Sequence, residues 1–129
     1  MFPEDLLRAA RTVAENAYAP YSKFTVGAAI MADDGRIFTG CNVENVSFGL
    51  TVCAERIALF KAVSEGVRHF TALALCAPES VTPCGACRQV LAEFCEPNLP
   101  IALTTGADDT IQMTTLGALF PSPFDTDAL

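Results

Sequence analysis

Apolar and polar positions along the chain predict the element order α-β-β-α-β-α-β-β. Residues 3–17 place Leu6, Leu7, Ala10, Val13, Ala14 and Ala17 on one stripe at helical spacing. Pro3 suits the first helical position, Glu4 and Asp5 complement the dipole there, and Pro20 ends the segment. Residues 24–31 and 36–41 read as two strands joined by the turn Asp33-Asp34-Gly35. Residues 42–51 are polar and read as a loop. The helix predicted over 53–65 has Ile57, Leu59, Phe60, Ala62 and Val63 as apolar positions and is closed by Gly66. Residues 70–77 are almost continuously apolar, as befits a central strand covered on both faces. After a loop at 78–83, residues 85–94 read as a third helix, stopped by Pro97 and Pro100. Short strands at 101–104 and 110–113 flank a turn at 106–109. The remaining tail carries Leu119, Phe120 and Phe124 among prolines and acids. This order predicts an α/β fold, a three-layer α-β-α sandwich around a mixed sheet, in one domain spanning residues 1–129.

Composition narrows the picture. Of 129 residues, 51% are hydrophobic and 18% charged, which excludes a disordered chain. Mean hydropathy is +0.35, high for a soluble monomer, so the surplus apolar surface points to an oligomer. Fifteen acidic residues against eight basic give a net charge of −7, which repels phosphate backbones and anionic membranes. No apolar run approaches a membrane span, and the acidic start lacks the basic region of a signal peptide. The expected location is the cytoplasm, where six cysteines are not a disulfide framework.

Three of those cysteines carry the chemical signal. Cys84 and Cys87 stand three apart in Pro83-Cys84-Gly85-Ala86-Cys87, at a predicted helix start, so both face one ion from a single turn. Cys53 opens the other helix. Helix N-terminal amides favour thiolate over thiol, and three protein ligands with one open position is the layout of a catalytic zinc site. Taken alone, C-x-x-C also fits a redox pair or half of a structural zinc site. A redox pair leaves Cys53-Ala54-Glu55 without a role. A structural site needs a fourth ligand, for which Cys41, Cys76 and Cys95 are available. Cys76 and Cys95 are more simply core residues, and His69 is more simply a strand-end residue. Glu55 discriminates: a carboxylate two residues after a ligand can move protons between water and substrate. Ligand-x-Glu followed by P-C-x-x-C is the zinc-deaminase signature, of which a three-cysteine version exists.

On these motifs the chain resembles the cytidine deaminase family in its small, homotetrameric, three-cysteine form. The resemblance also covers Pro20-Tyr21-Ser22-Lys23-Phe24-Thr25-Val26-Gly27-Ala28, Gly40-Cys41-Asn42-Val43-Glu44-Asn45 and Cys87-Arg88-Gln89. It implies a five-stranded mixed sheet between helices, and one zinc ion per subunit held by Cys53, Cys84 and Cys87. It implies proton shuttling by Glu55 and ribose contacts from Asn42 and Glu44. Phe24 is expected to pack on the pyrimidine and Ala54 to contact the substrate. Phe124 is expected to reach the base in a neighbouring subunit. Arg56 is expected to draw charge off the thiolates, whose three charges exceed that of a divalent ion by one. The implied reaction is hydrolytic deamination of cytidine and deoxycytidine in pyrimidine salvage. The family usually carries Tyr where this chain has Phe48. Two other readings share these features. One is a deaminase of a blasticidin-type antibiotic, against which the sugar segment 42–45 argues. The other is a non-catalytic zinc module, which a fourth protein ligand would support.

Overall fold

The structure is a computed structural model and describes residues 1–106 and 110–126. The N-terminal stripe forms α1 (Glu4–Ala14), with Leu6, Leu7 and Ala10 buried. It ends before the expected Ala17 because the chain is drawn into strand-like pairing. The Tyr18 N–H donates to the Asn42 carbonyl at 2.9 Å, and the Glu44 N–H returns to the Tyr18 carbonyl at 2.8 Å.

The two predicted strands become β1 (Gly27–Ala32) and β2 (Ile37–Cys41), paired antiparallel. Gly35, at φ 91°, supplies the left-handed position of the turn between them. β1 starts at Gly27 rather than Phe24, because the Asn42 side chain occupies the ladder there. Its Oδ1 accepts from the Val26 N–H and its Nδ2 donates to the Phe24 carbonyl, each at 2.8 Å. The loop expected over 42–51 contains a 3₁₀ turn at Phe48–Leu50.

Next come α2 (Ala54–Ser64), β3 (Phe70–Ala77), α3 (Gly85–Phe94), β4 (Pro100–Thr105) and β5 (Ile111–Thr115). The tail, expected to be irregular, begins with a single-turn helix, α4 (Leu116–Leu119), capped by the Thr115 hydroxyl. The expected turn at 106–109 and the last three residues of the tail fall on or run into positions outside the described residues.

The sheet order is β2-β1-β3-β4-β5, with β3 in the centre as its apolar run predicts. Only β3 and β4 run parallel, joined by the α3 crossover; every other pair is antiparallel. The three-layer arrangement holds. On one face α1 packs Leu6, Leu7 and Ala10 against Ala29, Ala72, Ala74 and Ala102. On the other, Leu59 of α2 and Leu91 of α3 join Ile30, Leu73, Leu75, Ile101 and Leu103. Phe60, one of the apolar positions of α2, is 48% exposed. Among the described residues no helix is long and apolar enough to cross a membrane.

Two glycines set how closely the helices approach. A Cβ at Gly27 would stand 2.1 Å from the Ala10 carbonyl oxygen of α1. At Gly40 it would stand 2.5 Å from both the Ala54 oxygen and the Ala58 nitrogen of α2. Such contacts are backbone to backbone, so no rotamer change relieves them. Gly40→Ala is therefore expected to push α2 off the sheet and to cost about 2–3 kcal/mol, the scale of overpacking. Gly49, whose Cβ would meet nothing within 4 Å, is the control. Gly49→Ala is expected to stay within about 0.5 kcal/mol of the parent. Equal urea midpoints for the two variants would contradict the close approach at Gly40.

Candidate active site

Cys53 and Cys84 occupy equivalent places. Each is the extended residue that precedes a helix, with φ −74° and ψ 154° at Cys53 and φ −68° and ψ 170° at Cys84. Both helices thus begin at the same end of the sheet, and their free N–H groups favour negative charge between them. Cys87 lies in the first turn of α3 and is fully buried, whereas Cys84 is exposed. Cys53 Sγ is 3.8 Å from Cys84 Sγ, and Cys84 Sγ is 3.5 Å from Cys87 Sγ. All three sulfurs fall within 4.8 Å of one another.

These distances suit one ion. Sulfurs bound to a tetrahedral zinc at about 2.3 Å stand about 3.8 Å apart. Thiolates are also the soft donors that zinc prefers. Cys41, Cys76 and Cys95 do not join this group, which is the one metal-compatible His/Cys/Asp/Glu cluster among the described residues. Cys76 and Cys95 are buried, and burial pushes both thiols up, Cys95 to about 12. His69 is exposed at the entrance to β3, where its carbonyl accepts from the Asp33 N–H at 3.1 Å.

The electrostatics of the trio are uneven. Hydrogen bonding from Cys87 pulls Cys53 down to about 5; Arg56 and Cys84 assist, against the cost of burial. The same bond, together with burial and the nearby Glu55, raises Cys87. Arg56 donates Nη2–H to Cys53 Sγ at 3.5 Å, and that contact raises Arg56 in turn. Its Nε is buried without a partner among the described residues. The guanidinium thus faces the sulfurs, as its expected role requires, rather than an exposed carboxylate.

Glu55 is only 6% exposed. Burial raises its carboxyl to about 7, and the negative charge of Cys53 adds to this, while its own backbone N–H, Cys87 and Arg56 oppose. A carboxyl poised near neutrality can both accept and return a proton.

A cleft of about 300 Å³ opens in front of these groups, at the lower end of the range for small-molecule sites. Phe24, Asn42, Glu44, Cys53, Ala54, Glu55 and Cys84 all line it. Glu44 is fixed at the rim: its Oε1 accepts from the backbone N–H groups of Tyr21 and Ser22 at 2.9 and 3.2 Å, and its Oε2 from the Ser22 hydroxyl. These bonds, the hydroxyl first, hold the carboxyl below its usual value and keep it ionised. Asn42 is buried, and both ends of its amide already hold the 24–26 segment, so its first task is to fix Phe24 beside the cleft.

Ser22 is the residue that sequence reasoning left unassigned. It stands inside the quoted 20–28 motif, but only the fold brings it to Glu44. The next residue, Lys23, has φ 62°, an unusual left-handed backbone that turns the chain from Ser22 toward Phe24. Val81 and Thr82 also line the cleft and carried no sequence signal. Phe124 does not line the cleft of its own chain. It is 64% exposed and borders a larger hollow of about 770 Å³ between the end of α3 and the tail, where no metal-compatible cluster lies among the described residues. Phe48 is exposed, its ring edge-on to Tyr21 at 5.8 Å.

Comparison with known proteins agrees with this geometry. Residues 2–103 match the family model for the cytidine and deoxycytidylate deaminase zinc-binding region. A cytidine deaminase from Sporosarcina psychrophila is 52% identical over 98% of this chain and 93% of its own length. The crystal structure of cytidine deaminase from Burkholderia pseudomallei superimposes with a TM-score of 0.90 at 46% identity, covering 96% of this chain and all of that one. That of cytidine deaminase from Mycobacterium tuberculosis gives 0.82 at 44% identity, over 94% and 95% of the two chains. With two helix starts presenting three sulfurs to a cleft that holds a buried glutamate, and with relatives alike from end to end, this chain belongs to the cytidine deaminase family.

Proposed function

We propose that this single-domain chain hydrolyses cytidine and deoxycytidine to uridine and deoxyuridine with release of ammonia, using one zinc ion held by Cys53, Cys84 and Cys87. The observation that carries this reading is the sulfur trio beside buried Glu55 at the base of the cleft. The family match and the relatives named above support it.

Zinc, when bound, lowers the pKa of water and so supplies a nucleophile near neutral pH. Glu55 accepts a proton from the attacking water and delivers it to N3 of the cytosine ring, which makes C4 electrophilic. It then carries the remaining water proton from the oxygen added at C4 to the departing amino group, so that the C4–N bond breaks and the C4 carbonyl of the product forms. Water and cytidine in, uridine and ammonia out, leave Glu55 as it began. Phe24 offers its ring to the pyrimidine, and Ala54, buried at the start of α2, closes the cleft against its edge. The ionised Glu44 accepts hydrogen bonds from ribose hydroxyls, and Asn42 keeps one amide proton and one lone pair for the same sugar. Arg56 offsets the surplus negative charge of three thiolates on a divalent ion. Such chemistry serves pyrimidine salvage in the cytoplasm.

The assembly proposed is a homotetramer with shared sites. Val46, Phe48 and Leu50, in the segment between the cleft-lining Glu44 and Thr51, are 76%, 73% and 67% exposed, and Phe124, 64% exposed, does not line its own cleft. Burying these against a second copy removes apolar surface from water and brings Phe124 to a neighbour's substrate.

Glu55→Gln keeps the size of the side chain and removes proton transfer. Zinc content is expected to stay at one per chain while cytidine turnover, followed by ultraviolet absorbance, falls at least ~10²-fold. A zinc-replete variant with parental turnover would exclude Glu55 as the shuttle. Acid should strip the metal, since a sulfur binds it only when deprotonated, so retention falls as pH falls. Arg56→Ala should make that loss easier, shifting the midpoint of zinc release toward higher pH. An unchanged midpoint and turnover would leave Arg56 without a role at the sulfurs. Phe124→Ala is expected to raise KM by the equivalent of about 1–3 kcal/mol, the scale of base–aromatic stacking, with zinc content intact. An active monomer by light scattering would contradict shared sites.

A further inference from the structure

Arg88 follows Cys87 in the first turn of α3, where its backbone N–H donates to the Cys84 carbonyl at 3.0 Å. Its side chain folds back over the start of the helix. Nε–H donates to the Pro83 carbonyl at 2.7 Å, Nη2–H to the Thr82 hydroxyl at 2.9 Å, and Nη1–H to the Leu119 carbonyl at 2.6 Å. All three acceptors are neutral. A helix start is the positive end of the dipole, where a cation is least favoured, so direct hydrogen bonds must hold the guanidinium there. Its planar fork reaches three acceptors on two segments at once, which a lysine ammonium cannot reproduce. One segment is residues 82–83, immediately before Cys84, of which Thr82 lines the cleft. The other is the end of α4. The adjacent Gln89 grips the same tail further along, donating to the Phe124 carbonyl at 2.9 Å.

We propose that Arg88 is a positioning residue for the metal site: it fixes the backbone entering Cys84, and with it the spacing of the three sulfurs, by tying that turn to the C-terminal segment. The inference rests on the proposed reading of Cys53, Cys84 and Cys87 as ligands. Arg88 touches neither sulfur nor cleft contents, so its effect is transmitted through Pro83 and Thr82. Metal retention thereby depends on how the tail is seated at Leu119, although no described tail residue belongs to the sulfur cluster.

The test is the rate at which zinc-loaded protein gives up its ion to a chromogenic chelator, with thermal unfolding followed in parallel. Arg88→Lys is expected to release zinc about tenfold faster than the parent, the lower end of the effect of outer partners on metal affinity. Arg88→Ala should do so at least as fast; if it does not fold, Arg88→Lys decides. Leu7→Ala opens the core on the far face of the sheet, and serves to separate general loosening from positioning. It should lower the thermal midpoint yet release zinc at the parental rate. Parental release from Arg88→Lys, or equal acceleration in Leu7→Ala, overturns the role of Arg88 and leaves the ligand assignment standing. A parent chain that holds no zinc overturns the ligand assignment, and the role of Arg88 with it.

Discussion

Three cysteine sulfurs within 4.8 Å of one another cannot all ionise without a cation among them. The surroundings of the cluster answer to that constraint. Two helix starts, the positive ends of their dipoles, lie at the cysteines, and a guanidinium lies 3.5 Å from one sulfur. Even so, the charge is unequally shared: Cys53 is drawn down to about 5 while Cys87 is pushed up. Burial first, and the negative charge of Cys53 after it, raise the carboxyl of Glu55 to about 7. A divalent ion is the group that relieves the repulsion while leaving one face toward the cleft.

The sheet makes this convergence possible. β1 runs antiparallel to both of its neighbours, β2 and β3, so the chain leaves β2 and β3 at the same end. The helices that follow start there. Gly40 then lets α2 lie with its backbone against the strand, close enough that no side chain could intervene. The depth of Ala54 and Glu55 in the fold is a consequence of that contact.

Long periodic segments were legible in the sequence. β3 and α3 match their predicted bounds, and the three cysteines singled out in the sequence do come together; Cys84 and Cys87, one helical turn apart, are a local pattern, whereas Cys53 joins them only through the fold. Boundaries set by distant partners were not legible. α1 ends early because Tyr18 pairs with Asn42 and Glu44, and β1 starts late because the Asn42 amide replaces the ladder. The same holds for the cleft. Ser22 and Glu44 are far apart in sequence, and only the left-handed turn at Lys23 brings the hydroxyl to the carboxylate.

Cys53 and Cys84 are separated by 31 positions, and the chain between them contains all of α2 and β3. An ion shared by their sulfurs is therefore a cross-link around the middle of the protein as well as a reagent. Closing a loop of that length lowers the entropy of the unfolded chain by the equivalent of about 3–4 kcal/mol, on the relation used for disulfides. The central strand is then enclosed by a clasp whose two ends are the starts of the flanking helices. Resistance to heat and catalytic competence would then be lost together when the ion is removed.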